Sequence, residues 1–129
     1  MIHHMVAGAP DPVAPFSHAV EADGWVFVTG QMPFAGTSIE TPYPEGIVAQ
    51  THQVMKNLET VLKGCGLGLV NVLSARIFLT RFDEDYEAMN AVYASYFPVG
   101  KRPARHQVDL DSGPLGQRDH ADAGARRQA

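Results

Sequence analysis

The sequence predicts an α+β domain in which two helices lie on one face of a mixed β-sheet. Three observations carry that expectation. Two extended segments flank an Asp-Gly pair near the start, two later stretches repeat their apolar residues every three or four positions, and a long alternating run separates those stretches. The chain has 129 residues, 45% hydrophobic and 19% charged, which suffices for a single domain with one buried core.

A Pro-rich entry runs through Pro15, and His3-His4 ahead of it is expected to be a frayed terminus. HAVEADGWVFVTG then places extended segments on either side of Asp23-Gly24, a pair that readily takes the positive φ angles of a tight hairpin turn. Residues 32–46 carry three prolines and two glycines and are expected to be a loop. From Ile47, the residues Val48, Thr51, Val54, Met55, Leu58, Val61, Leu62 and Cys65 continue an apolar stripe with helical spacing, which ends in the stretch from Gly64 to Gly68. VNVLSARIFLTRF alternates, which puts Leu73, Ala75, Ile77 and Leu79 on one face of a strand and Val72, Ser74, Arg76, Phe78 and Thr80 on the other.

A second helix is expected from about Asp83, whose carboxylate can cap the first turn, with Tyr86, Met89, Tyr93, Tyr96 and Phe97 facing inward. Pro98 and Gly100 stop it, and Pro103 fixes an extended entry to a strand over residues 107–110. The predicted order is strand, strand, helix, strand, helix, strand.

Composition narrows the function classes. A formal charge of −4 argues against nucleic acid as the main partner, since nucleic-acid binders gather an excess of Lys and Arg. The lone Cys65 excludes an intramolecular disulfide, suits a reducing compartment, and falls on the apolar helix face as a small core residue. No basic region followed by an apolar run opens the chain and no window reaches the length of a membrane span, so a cytoplasmic location without a membrane partner is expected. The six histidines show no metal-ligand spacing, and GCGLG follows a helix instead of preceding one, so neither a metal nor a dinucleotide is expected. Arg105 stands where a Pro-led loop becomes a strand. Its planar guanidinium could grip a small carboxylate through two hydrogen bonds, or serve as a surface salt-bridge partner.

Five motifs give that arginine company: PFSHAV at 15–20, VFVTGQMP at 26–33, NLETVL at 57–62, MNAVYASYF at 89–97 and RPAR at 102–105. In this order and spacing they resemble the Rid family, also called YjgF or L-PSP, of reactive imine and enamine deaminases. The resemblance extends to about Val108. It implies a chorismate-mutase-like fold, a homotrimer with clefts between subunits, and hydrolysis of 2-imino or 2-enamino acids to 2-keto acids and ammonia without a metal or organic cofactor. It further implies that Arg105 is the catalytic residue that binds the substrate carboxylate, and that Phe16, Gly30, Gln31 and Asn90 line the cleft. Phe16 replaces a Tyr common in the family and so lacks its hydroxyl, and Gln107 stands where many members carry Cys.

The family also supplies a Glu on the last strand as acid and base, whereas this chain has no Glu after Glu87. Asp109, Asp111, Asp119 and Asp122 remain, and none of them is assigned that role. After Leu115 the chain contains no Val, Ile, Leu, Met, Phe, Tyr or Trp. Residues 1–115 are therefore expected to form the domain, and 116–129 an atypical tail that is disordered or the product of an altered reading frame. Codons for Arg118 to Gly124 exist that read Glu-Ile-Thr-Leu-Thr-Leu when stepped by one base. The expected activity is imine deamination. The alternatives are a non-catalytic trimer that binds small carboxylates or partner proteins and, more weakly, an endoribonuclease or translation inhibitor.

Overall fold

The computed structural model describes residues 1–109 and 119–127. Six strands form one mixed sheet: β1 (Ile2–His4), β2 (Ala19–Ala22), β3 (Trp25–Gln31), β4 (Val72–Leu79), β5 (Ala104–Asp109) and β6 (His120–Arg126). They lie side by side in the order β1-β2-β3-β6-β4-β5. Helices α1 (Ile47–Gly64) and α2 (Phe82–Ala94) complete the domain. Among the described residues only β4 and β5 run parallel; the other pairs are antiparallel. A parallel pair needs a crossover, and α2 provides it.

The hairpin turn forms as its residues predict, with φ of 52° at Asp23 and 80° at Gly24, and Ala22 pairs with Trp25 across it. Helix α1 buries Thr51, Val54, Met55, Leu58, Val61 and Leu62 along the expected stripe. Val26 and Val28 of β3, Ile77 and Leu79 of β4, and Met89, Tyr93 and Phe97 from α2 and its end share that core. The buried Asn57 donates to the carbonyls of Met32 and Phe34, both at 2.9 Å, and so ties the long loop to α1. No described helix is long and apolar enough to cross a membrane.

Five expectations are corrected. Val48, expected on the apolar stripe of α1, lies at its edge in the first turn and is 50% exposed. His3-His4 is paired: Ile2–His4 forms an edge strand on β2, and His4 Nε2 lies 3.0 Å from a Glu21 carboxylate oxygen. Three residues are too few to show a period. In β4 the pairing with β6 shifts register between Val72 and Ser74, so Val72 turns into the core at 6% exposure while Leu73 turns out at 48%. Asp83 lies inside the first turn of α2, and Arg81 holds the capping position with no side-chain cap.

The largest correction concerns the end of the chain. Residues 120–126 form β6, which lies between β3 and β4 and pairs with both. The expectation of a disordered tail fails over this stretch because alternation persists in small residues: Ala121, Ala123 and Ala125 face the helices, and His120, Asp122, Gly124 and Arg126 take the alternate positions. The expected boundary at 115/116 lies outside the described residues.

Arg127 anchors the end of β6. Its guanidinium grips both carboxylate oxygens of Glu21 at 2.9 Å and donates to the Cys65 carbonyl at 2.6 Å, where α1 ends. These hydrogen bonds, from Arg127 first and then His4, lower the Glu21 pKa from 4.5 to about 2.

Candidate functional site

Phe16, Gly30 and Gln31 line one open cleft of about 210 Å³, together with Pro10, Thr29 and His120. A bulge in β3 places two of them. Val28 pairs with Ala123 and Gln31 with Ala121, so three steps along β3 match two along β6. The extra residue re-aims the strand at Thr29-Gly30. Gln31 is buried and donates from Nε2 to the Thr29 carbonyl at 3.2 Å. A Cβ on Gly30 would come within 3.2 Å of His120 Cδ2, so glycine leaves room for the imidazole to lie against the strand. The ring is also stacked on Phe78, with centroids 4.2 Å apart and planes 10° from parallel.

Arg105 stands elsewhere. It pairs with Ala75 on β4, and its Nη2 donates to the Tyr86 hydroxyl of α2 at 3.2 Å. The guanidinium carbon lies 5.0 Å from the Tyr93 ring centroid and 5.8 Å from that of Tyr86, within cation–π range. Among the described residues no carboxylate forms a salt bridge with Arg105. Among the described residues its charge is held by aromatic rings and a hydroxyl, with no carboxylate in the place of a surface salt-bridge partner. Burial pushes the Tyr93 hydroxyl pKa up, partly opposed by Arg105.

Asn90 shares a face of α2 with Tyr86 and Tyr93, at the i, i+4 and i+7 positions of a helix. Its Oδ1 is buried without a hydrogen-bond partner among the described residues, as is the Tyr93 hydroxyl. A buried acceptor left open is uncommon in a native fold and marks a place where another group can bond.

One chain thus brings Phe16, Gly30 and Gln31 together and keeps Arg105 and Asn90 apart from them. Two strands separate β3 from β5, so at ordinary interstrand spacing the strands that carry Gly30 and Arg105 stand about 14 Å apart. Sequence reasoning missed His120 on the cleft wall and the Tyr86 and Tyr93 cradle around Arg105. The period-two Ala pattern of HADAGAR could have revealed the first, and the helical spacing of the two tyrosines the second.

The Endoribonuclease L-PSP family profile matches residues 6–116, ending ahead of β6. A RutC family protein of Synechocystis is 35% identical over 104 residues, covering 81% of this chain and 79% of its own length. The fold matches that of a Thermotoga maritima protein described as a candidate endoribonuclease, with a TM-score of 0.83 and 30% identity over 99% of this chain and all of the other. It also matches a Rid family protein of unknown function from Yersinia pestis, with a TM-score of 0.80 and 27% identity over 98% of this chain and all of the other. This chain belongs to the Rid family, also known as YjgF or L-PSP.

Proposed function

We propose that this protein hydrolyses small 2-imino or 2-enamino acids to 2-keto acids and ammonia. The observation that carries this reading is the state of Arg105, a half-buried cation cradled by Tyr86 and Tyr93 with no carboxylate partner among the described residues. A site of that kind suits a substrate carboxylate, which would take the two-pronged hydrogen bond that the described residues leave open. Arg105 is the substrate anchor in this reading, and Phe16, Gly30, Gln31 and Asn90 shape the cleft.

The separation of Arg105 from the Phe16 cleft supports a homotrimer in which neighbouring copies complete each site. The helix-free face of the sheet supports the same assembly, because it leaves Trp25 41% and Phe27 61% exposed. Apolar area of that kind is a candidate surface for contact between copies.

An ammonia-release assay tests the reading, with 2-iminobutyrate generated in place by threonine dehydratase. The chain should accelerate release, and Arg105→Ala should lower turnover by about 10- to 100-fold, as expected for losing a charge-assisted bidentate contact. Binding of 2-ketobutyrate without acceleration would instead favour the carboxylate-binding alternative.

A further inference from the structure

We propose that His120 is the proton-transfer residue of the cleft, a role that rests on the deaminase reading above. The expected carboxylate of the last strand is missing, yet β6 does bring a titratable group to the cleft wall. Its imidazole is positioned from two sides. Phe78 stacks on its face at 4.2 Å, and the Cδ2–Nε2 edge lies against the Gly30 backbone, in the space that a side chain would otherwise fill.

Among the described residues the cleft has two other titratable side chains, Asp11 and His18. His18 is committed to structure: its Nδ1 accepts the Val6 amide at 2.8 Å, so Nε2 carries the proton and donates it to the Pro10 carbonyl at 2.8 Å. With both nitrogens engaged, it has none to offer a reacting water. Asp11 is exposed on the entry loop, whereas His120 stands on the central strand beside Gly30 and Gln31. A proton carrier works best when its position is fixed by packing, which favours His120.

The chemistry balances with one imidazole. The His120 imidazole takes a proton from water as the water oxygen bonds to C2 of the protonated imine, and the C=N pair moves onto nitrogen. His120 then returns that proton to the nitrogen of the tetrahedral intermediate. The C–N bond breaks, ammonia leaves, and the remaining hydroxyl becomes the keto carbonyl as its proton passes to solvent.

The test compares the full-length parent with His120→Phe and His120→Ala in the ammonia-release assay, with thermal unfolding confirming that each is folded. His120→Phe keeps a flat ring for the Phe78 stack. It should lose turnover by about 100-fold or more, the range of general acid–base catalysis, and added imidazole should restore part of the activity of the Ala variant. Parental turnover in both variants would overturn the assignment while leaving the deaminase reading intact. Loss in Asp11→Asn with parental turnover in His120→Phe would transfer the role to Asp11. A parent chain that releases no ammonia above background would overturn the deaminase reading and this inference together.

Discussion

β3 and β6 are neighbours in the sheet and face the same helices, but they meet them with different side chains. β3 offers Val26 and Val28, while β6 offers only Ala121, Ala123 and Ala125. The valines contribute apolar burial of about 1.5 kcal/mol or more each, and an alanine contributes considerably less. What β6 has instead is backbone: it lies inside the sheet, so its amides and carbonyls find partners on both edges. A strand can therefore hold the middle of a sheet with little hydrophobic content, provided its alternation keeps polar groups off the helix side. The cost is visible beside Ala121, which borders a cavity of about 30 Å³ lined by Val54, Met55, Leu79, Met89 and Tyr93.

The largest effect is expected from Ala123→Asp, which would bury an unpaired carboxylate between strand and helices. The cost should be several kcal/mol, comparable to the whole stability of a small domain, and cooperative thermal unfolding by circular dichroism should vanish. An unchanged melting transition would mean that β6 does not face the helices with Ala123. Ala125→Val comes next. Ala125 is fully buried, so overpacking should destabilise by about 1–3 kcal/mol in urea unfolding.

A smaller effect concerns the anchor after β6. The folded Glu21 pKa is depressed from 4.5 to about 2. Between those values the unfolded chain binds a proton that the folded chain refuses. The stability linked to Glu21 is thus full above pH 4.5 and is lost as pH falls toward 2. Melting curves across that window should show Glu21→Gln flattening this part of the pH dependence, and parallel curves for the two proteins would remove Glu21 from the acid response. The smallest effect is a gain: Ala121→Val should fill part of the cavity and raise stability by up to about 1 kcal/mol. A loss at this position would show that the cavity does not accept the extra methyl groups.

These contrasts explain what the sequence could reveal. Both helices and the 18–30 hairpin were legible because large apolar residues or an Asp-Gly turn marked them. β6 was not, because a search restricted to large apolar residues passes over His-Ala-Asp-Ala-Gly-Ala-Arg, whose alternation is in alanine. The β3 bulge that brings Gly30 and Gln31 to the cleft depends on register against a strand about ninety residues away, which no local window contains. Likewise, the motifs named Phe16, Gly30, Gln31, Asn90 and Arg105 as a set, but their division into two groups is a property of strand order. The altered-frame reading of Arg118 to Gly124 is decided by the coding DNA: codons unable to yield Glu-Ile-Thr-Leu-Thr-Leu in the neighbouring frame would end it.

The final described strand is built into the middle of the sheet and thereby carries His120 to the cleft. Amide hydrogen exchange measured by NMR tests it most directly. The amides of residues 121–125 that bond to β3 or β4 should exchange as slowly as those of Val26 and Ile77, because only global opening exposes a central strand. Exchange over 121–125 at the rate of an unfolded peptide, while Val26 and Ile77 stay protected, would mean that β6 is not part of the folded sheet.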